Sequence, residues 1–171
     1  MPKNLTLTES LQAAVGHERV DQVAYLVPDL ESGIAEWNAL LGEAEWLVYS
    51  YSPDNVPELG YRGEPGRFSM RLALRGASPQ IELIEPLDGP SIYHDWINER
   101  GYGLHHIGRF VPDLTAAILA MRAAGVEPAQ WGRGYGMDGD GGFAYYELGS
   151  EPSNVIELIE VPKNRRPSET L

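Results

Sequence analysis

Four polar side chains that could bind a metal ion occupy matching positions in two repeated parts of the chain. The segment VDQVAYLVPDL matches LHHIGRFVPDL, which places Gln22 opposite His106. The segment QIELIEPL matches VIELIEVP, which places Glu82 opposite Glu157. Amide, imidazole and carboxylate groups are ligands for hard or borderline divalent ions, so the repeat predicts a metal site that both halves of the chain build.

The two glutamates are informative because of their neighbours. Side chains alternate between the two faces of a strand, so Glu82 and Glu157 each share a face with an isoleucine two positions on. A carboxylate on such an apolar face is costly unless it is paired, protonated or bound to a cation. The alternative is a solvated edge strand, since Glu85 and Glu160 repeat the charge three positions later.

For His106, the repeat partner Gln22 and the two glutamates together favour a metal ligand over a structural role. Alternation along the strand predicts that His105 points away from the face that carries His106. We interpret His17, His94 and His105, taken singly, as structural or surface residues. The chain has no cysteine, which leaves nitrogen and oxygen atoms as the only good metal ligands.

Composition excludes several classes of protein. The 171 residues carry a formal net charge of -12 without a basic patch, so no nucleic-acid partner is expected. No stretch approaches the length of a membrane span, and the first residues lack the pattern of a signal peptide, so we predict a cytoplasmic protein with no membrane contact. The glycine-rich stretch 132–142 lacks the Lys-Ser/Thr of a P-loop and is expected to form a loop or hairpin near a site mouth.

Each repeat predicts the same order of elements. A short strand runs into VPDL, where Asp29 or Asp113 is suited to cap the helix that follows, and Gly42 or Gly125 is suited to end it. Three further strands follow each helix, and FSMRLAL alternates as a half-buried strand does. The fold class is therefore α+β, with two βαβββ modules.

This order divides the chain into five parts. The predicted parts are an N-terminal extension (1–16), a first module (17–89), a connector helix (90–101), a second module (102–162) and a C-terminal tail (163–171). The connector is expected to pack on the outside and the polar tail to be loose. The stretch 52–66, rich in proline, glycine and charge, is expected to be a loop on the substrate side.

The paired modules and the motifs LHHIGRFVPDL and VIELIEVP resemble the vicinal oxygen chelate superfamily over about residues 17–162. That superfamily includes glyoxalase I, methylmalonyl-CoA epimerase, extradiol dioxygenases, and fosfomycin or bleomycin resistance proteins. The resemblance implies a curved, barrel-like mixed sheet around one cavity. It also implies that the metal ligands come from the first and last strands of each module, namely Gln22, Glu82, His106 and Glu157.

The implied ligand set is similar to that of some glyoxalase I enzymes and close to that of the epimerases. The resemblance therefore implies a lyase, isomerase or epimerase with a divalent ion (Zn, Ni, Co, Mn or Fe), acting on a small-molecule carbonyl substrate. Such an enzyme moves a proton next to a metal-bound carbonyl through an enolate, with Glu157 and Glu82 as candidate bases. Family members commonly pair their chains, so a homodimer is expected.

Two alternatives remain open from the sequence. The first is a binding protein that sequesters a small molecule, as resistance proteins do. The second is an iron-dependent ring-cleaving dioxygenase, although that class normally has histidine where this chain has Gln22. The sequence suggests aromatic residues near the site mouth, namely Tyr49, Tyr51, Tyr61, Trp131, Tyr135, Phe143 and Tyr145. It also offers arginines as partners for acidic groups of a substrate, namely Arg62, Arg67, Arg71, Arg109 and Arg133. Neither set identifies the substrate.

Metal analysis tests the first prediction. The purified protein should hold about one divalent ion per chain, and replacing His106 or Glu157 by alanine should remove it because each supplies a ligand atom. A preparation unable to bind Zn, Ni, Co, Mn or Fe would contradict the metal site. If the chain only sequesters a small molecule, the same substitutions and added chelator should leave ligand affinity unchanged.

Overall fold

The computed structural model describes residues 6–16, 18–149 and 154–171, which form four helices and a single mixed sheet of eleven strands. His17 lies outside the described residues. Up to the connector, the elements are α1 (Leu7–Val15), β1 (Gln22–Leu26), α2 (Leu30–Leu41), β2 (Leu47–Tyr51), β3 (Glu58–Tyr61), β4 (Glu64–Pro65), β5 (Met70–Arg75) and β6 (Gln80–Pro86). The remaining elements are α3 (Ile92–Arg100), β7 (Gly103–Phe110), α4 (Leu114–Ala123), β8 (Gln130–Arg133), β9 (Gly142–Leu148), β10 (Asn154–Glu160) and β11 (Glu169–Thr170).

The sheet joins the two modules at its centre. Its order is β11-β2-β5-β6-β1-β7-β10-β9-β8-β3-β4. β1 pairs in parallel with β6, β7 pairs in parallel with β10, and β1 and β7 run antiparallel to each other. The four strands that carry the candidate ligands are therefore neighbours in the middle of the sheet. Glu82 and Glu157 do not lie on edge strands, so the edge-strand alternative is wrong.

Local signals in the sequence determine where the two module helices, α2 and α4, begin and end. The carboxylates of Asp29 and Asp113 accept hydrogen bonds from the backbone N–H groups of Ser32 and Ala116, at 2.8 and 3.0 Å, which confirms the predicted N-caps. α2 ends at Gly42, where φ is 88°, and Gly125 has φ of 80° just after α4. Positive φ favours glycine, so both residues end their helices as expected.

Apolar residues on both faces of the sheet hold the layers together. The outer face of each half packs against its helix, through Leu30, Ile34 and Leu83 in one half and Leu114, Ile118 and Met121 in the other. α1 joins the second of these clusters through Val15.

The inner face forms the core of a curled half-barrel. The residues that share this core are Ala24, Leu26, Tyr49, Phe68, Met70, Leu72, Leu74, Ile84, Phe143 and Tyr145. The curl brings strands that are distant in the sheet close together, so that the rings of Tyr51 and Tyr135 have centroids 5.1 Å apart. The predicted α+β fold with a barrel-like sheet is confirmed.

The connector helix α3 closes one end of the half-barrel instead of packing outside it, so the expected outside position was wrong. Ile92 and Tyr93 are fully buried in the interior core. The Tyr93 hydroxyl donates a hydrogen bond to the Tyr145 hydroxyl at 2.9 Å. Ser91 caps the helix by accepting from the backbone N–H of His94. The apolar side of this short helix therefore packs into the interior core.

The stretch 52–66 contains two strands and is not a simple loop. β3 pairs with β8, which belongs to the second module, and β4 pairs with β3. Gly60 is required here because a Cβ atom would collide with the Trp131 ring on β8. The chain therefore crosses from β2, next to one edge of the sheet, to β8 near the other edge.

The tail is also ordered, in contrast to the expected loose segment. β11 pairs with β2, and Leu171 and Trp46 exchange two backbone hydrogen bonds. At its start, the backbone N–H of Lys163 donates to the carboxylate of Asp140 at 2.8 Å. The tail therefore spans from the loop between β8 and β9 to β2. Its polar composition did not indicate this pairing, because the bonds are mostly to backbone groups.

No helix in the described ranges is long and apolar enough to span a membrane. Both edges of the sheet are two-residue strands, β11 and β4. Short edge strands offer little template for pairing with another chain, so the expected homodimer would need another surface and stays a prediction.

The Tyr93–Tyr145 hydrogen bond predicts a non-additive effect on stability. Tyr93→Phe should lower the free energy of unfolding by about 1–3 kcal/mol, because it leaves the buried Tyr145 hydroxyl unpaired. The double variant with Tyr145→Phe should recover most of that loss. Chemical denaturation measures both, with Tyr102→Phe on the surface as the control. Additive losses in the double variant would contradict the pairing.

Candidate metal centre

The structure brings all four predicted side chains to one place on the inner face of the sheet. Gln22 on β1, Glu82 on β6, His106 on β7 and Glu157 on β10 have exposed fractions of only 4, 5, 2 and 5 %. They converge because alternate residues of neighbouring strands point to the same face. The parallel pairs β1–β6 and β7–β10 repeat the same arrangement on both sides of the centre.

Three of these residues form a compact group of potential ligand atoms. His106 Nε2 lies 3.1 Å from Glu157 Oε2 and 3.5 Å from Glu82 Oε2. The ligand atoms of the three residues all lie within 4.8 Å of one another. One imidazole nitrogen and two carboxylates at this spacing are suited to a borderline divalent ion.

The amide of Gln22 completes the group. While its Nε2 donates to Gln80 Oε1 at 3.1 Å, its Oε1 lies 3.2 Å from Glu157 Oε2 and 3.3 Å from Glu82 Oε2. Three oxygen acceptors facing one another without a proton repel. If the Gln22 amide turns over, its nitrogen donates to both carboxylates, and a matching turn of the Gln80 amide lets the Gln80 nitrogen donate to the Gln22 oxygen. These hydrogen bonds favour the turned orientation while no cation is bound. A bound cation favours the first orientation, since the amide oxygen then becomes a ligand, so the residues fit a divalent ion.

Space for the Gln22 side chain comes from Gly108. The two residues are paired across β1 and β7, and a Cβ atom at position 108 would lie 2.8 Å from Gln22 Oε1 and 2.9 Å from Gln22 Cβ. Any larger residue would push Gln22 away from the carboxylates. The glycine in LHHIG is the sequence signal for this close approach, which sequence reasoning did not use.

The charges of the metal-free centre balance partly through His106. Burial opposes the charged ring, but hydrogen bonding and attraction to Glu157 and Glu82 outweigh it and raise the pKa of His106 to about 9. Burial also raises the pKa of Glu82, and the nearby charge of Glu157 adds to this effect. Near neutral pH the His106 ring is therefore an imidazolium that faces both glutamates.

His105 lies on the same side as His106, contrary to the expectation from strict alternation. Ala24 pairs with His106 and Tyr25 with Leu104, so β7 has an extra residue, a β-bulge, at His105. The bulge brings the Nδ1 atoms of the two histidines to 2.9 Å from each other. Sequence reasoning missed this neighbour because a bulge leaves no signal in the pattern of apolar residues.

His105 is suited to orient the His106 ring. Burial and the charge of His106 lower the pKa of His105 to about 2, so it stays neutral and accepts a hydrogen bond from His106 Nδ1. Its own ring is held edge-on against Trp96 of α3, with centroids 5.1 Å apart. A neighbour that accepts from one ring nitrogen directs the other toward a metal.

A cavity of about 30 Å³ lies beside the carboxylates. Besides the apolar interior, it is lined by Gln22, Glu82, Glu157, Tyr51, Tyr135 and Arg165. Two of the aromatic residues that the sequence suggested, Tyr61 and Trp131, do not line this cavity. The Tyr61 hydroxyl donates a hydrogen bond to Asp95, and the Trp131 ring packs against Gly60 of β3. A larger hollow of about 520 Å³ lies at the α3 end and is bordered by His105.

Arg165 is the cation that sequence reasoning missed. It comes from the tail, and its guanidinium carbon lies 4.5 Å from the centroid of the Tyr49 ring. The arginines that the sequence offered as substrate partners were Arg62, Arg67, Arg71, Arg109 and Arg133. None of those five lines this cavity; Arg62, for example, pairs with Asp95 and Glu147.

Comparisons with known proteins agree with this architecture. A family model described as the Glyoxalase/Bleomycin resistance protein/Dioxygenase superfamily matches residues 21–146. Methylmalonyl-CoA epimerase from Mycobacterium tuberculosis is 26% identical and aligns over 85% of this chain and 89% of its own, with a TM-score of 0.59. Two further structures show the same fold.

The first of these is a hypothetical protein from Bacillus halodurans C-125. It is 20% identical and aligns over 86% of this chain and 97% of its own, with a TM-score of 0.57. The second is a methylmalonyl-CoA epimerase in complex with methylmalonyl-CoA and NH4+. It is 19% identical and aligns over 87% of this chain and 98% of its own, with a TM-score of 0.56. The search of curated proteins gives no match.

The raised pKa of His106 predicts that metal binding releases a proton. Because the metal-free ring is protonated below about pH 9 and a ligand nitrogen must be neutral, metal affinity should increase as pH rises toward that value. Calorimetry should show about one proton or more released per Zn²⁺ near neutral pH, and an apparent Kd that falls about tenfold per pH unit between about pH 6 and pH 8. His94→Gln, outside the centre, should leave both unchanged. A pH-independent affinity would contradict the assignment of His106.

Proposed function

This chain belongs to the Glyoxalase/Bleomycin resistance protein/Dioxygenase superfamily, and we propose that within it the protein is a divalent-metal-dependent enzyme that moves a proton next to a carbonyl group. The observation that carries the proposal is the convergence of Gln22, Glu82, His106 and Glu157 on one buried point. Two buried carboxylates there are costly for a simple binding protein, but they are useful to an enzyme that holds a cation and transfers protons.

In the proposed enzyme, Gln22, His106 and the two glutamates would hold the ion. When bound, a divalent ion acts as a Lewis acid that stabilises the negative charge developing on a carbonyl oxygen as a neighbouring proton leaves. His105 keeps the His106 ring in place from behind, through the hydrogen bond between their Nδ1 atoms. Gly108 keeps the space that the Gln22 amide needs.

Glu82 and Glu157 are the proposed proton carriers. Burial raises the pKa of the Glu82 carboxyl, which brings its proton affinity closer to that needed for a base near neutral pH. The Oε2 atoms of both glutamates lie near the same histidine nitrogen, at 3.5 and 3.1 Å. Two carboxylates that meet at one point could remove a proton from a substrate carbon and return it at another position, as isomerisation, epimerisation and hemithioacetal rearrangement all require.

The ligand types disfavour a ring-cleaving dioxygenase. That chemistry uses two histidines and one carboxylate around iron(II), whereas the centre has one histidine, two carboxylates and an amide. Sequestration of a small molecule needs neither the ion nor a proton carrier. A protein with that function would therefore catalyse no hydrogen exchange in its ligand.

The candidate substrates are thioesters and related carbonyl compounds. One similar structure is a methylmalonyl-CoA epimerase in complex with methylmalonyl-CoA, and this supports 2-methyl-branched acyl thioesters as the first class to test. Hemithioacetals of 2-oxoaldehydes form the second class, because the same proton transfer rearranges them. Catechols form the third class, as the test of the dioxygenase alternative.

Hydrogen exchange in D₂O tests the proposal. The metal-loaded protein should incorporate deuterium at the carbon next to the carbonyl of methylmalonyl-CoA or of a methylglyoxal hemithioacetal, as measured by NMR. Glu82→Gln should slow this exchange by about 100-fold or more without abolishing metal binding, since a positioned base contributes at least that much. Glu157→Gln should slow it similarly.

Glu85→Gln is the matched control, because this glutamate lies on the same strand but pairs with Arg71. Removing the metal with chelator should stop exchange in every variant. The proposal would be refuted if no deuterium enters either substrate class. It would also be refuted if wild type, Glu82→Gln and Glu157→Gln exchange at equal rates. Oxygen consumption with a catechol would favour the dioxygenase instead.

A further inference from the structure

Arg165 is a largely buried cation that lacks an acidic partner. Its side chain lines the cavity beside Glu82 and Glu157, but no carboxylate of the described residues forms an ion pair with it. By contrast, Arg62 and Arg71 each pair with at least two carboxylates. The Tyr49 ring covers one face of the guanidinium, at 4.5 Å, but a ring face does not accept the in-plane N–H groups.

Tyr51 is a second donor in the same cavity. Its hydroxyl oxygen is buried beside the Arg165 guanidinium, from which it can only accept, and among the described residues no acceptor for its own proton is found. The neighbouring guanidinium only donates, so it cannot take the phenol proton. Burial raises the pKa of Tyr51, so that proton stays in place. A buried donor without an acceptor is costly, which points to an acceptor that arrives with a ligand.

The cavity provides the chemical setting for such a ligand. Its other polar lining consists of Gln22 and the two carboxylates of the proposed metal centre. A divalent ion would neutralise those carboxylates, and the remaining charge facing the cavity would then be the positive charge of Arg165. A planar oxyanion is the group that a guanidinium binds best, through two parallel hydrogen bonds.

The tail holds Arg165 between two anchors. On one side, the backbone N–H of Lys163 donates to Asp140, and the Asn164 side chain donates to Asp138 at 2.9 Å. On the other, the N–H of Ser168 donates to the carbonyl of Val48 at 2.7 Å. The cavity of about 30 Å³ has room for little more than a water molecule, so a ligand that enters it must shift side chains of its lining.

We propose that Arg165 and Tyr51 form a subsite that binds a carboxylate of the substrate, next to the carbonyl group that reaches the metal centre. This inference rests on the proposed function and narrows it to carbonyl compounds that carry a carboxylate a few bonds away. Arg165 is thus a specificity-determining residue contributed by the last nine residues of the chain, and Tyr51 is its partner from β2.

Binding of malonate tests the subsite. Malonate has two carboxylates on one carbon, and malonamide is a similar molecule without charge. Calorimetry on the Zn²⁺-loaded protein should show malonate binding that Arg165→Gln and Tyr51→Phe each weaken about tenfold, because each removes a hydrogen bond to a charged group. Malonamide should bind weakly, with no difference between wild type and the variants.

Two matched variants serve as controls. Arg166→Gln removes the adjacent but exposed arginine, and Tyr146→Phe removes another buried hydroxyl without a partner among the described residues, in the cluster under α4. Both should bind malonate as the wild type does. Zn²⁺ content is measured on every sample and should not change.

The outcomes separate the two proposals. A protein that takes up Zn²⁺ but binds no malonate, or binds it equally well in Arg165→Gln and Tyr51→Phe, overturns the subsite alone. Equal weakening in Arg166→Gln would also overturn it, since the effect would then be one of net charge. A protein that takes up no Zn²⁺ overturns the proposed function and the subsite with it.

Discussion

The sheet buries two glutamate side chains next to each other, and the rest of the structure depends on how their negative charge is compensated. Glu82 and Glu157 lie on central strands, where the surrounding face is apolar and water is excluded. The His106 imidazolium between them provides one positive charge, which leaves the group short of another. A sheet that needed only stability would carry aliphatic residues at these positions, so the burial of charge indicates a chemical role.

The duplicated topology makes this burial possible. Each module supplies a parallel pair of strands, and the two pairs meet along the antiparallel contact of β1 and β7. Equivalent residues of the two modules therefore face each other across that contact. The module helices lie on the outer face, α3 closes one end, and the β3–β4 hairpin and the tail connect the outer edges.

Features that repeat or that obey a strand or helix period could be predicted from the sequence. The positions of Gln22, Glu82, His106 and Glu157, the N-caps Asp29 and Asp113, and the inward face of FSMRLAL all follow from such patterns. The bulge at His105, the pairing of β3 with β8 and the place of Arg165 could not be predicted. They depend on contacts between distant segments, and none of them is duplicated in the other module.

The contact between β1 and β7 has a consequence for cohesion between the two halves of the molecule. Gln22 and Glu82 belong to one half and His106 and Glu157 to the other, so an ion held by all four bridges the seam. Its binding energy then opposes separation of the halves and adds to the cooperativity of unfolding. Loss of the ion would leave only the His106 imidazolium and the Gln22 amide to hold the two glutamates together across the same seam, so the molecule would loosen first along the line where its duplicated parts are joined.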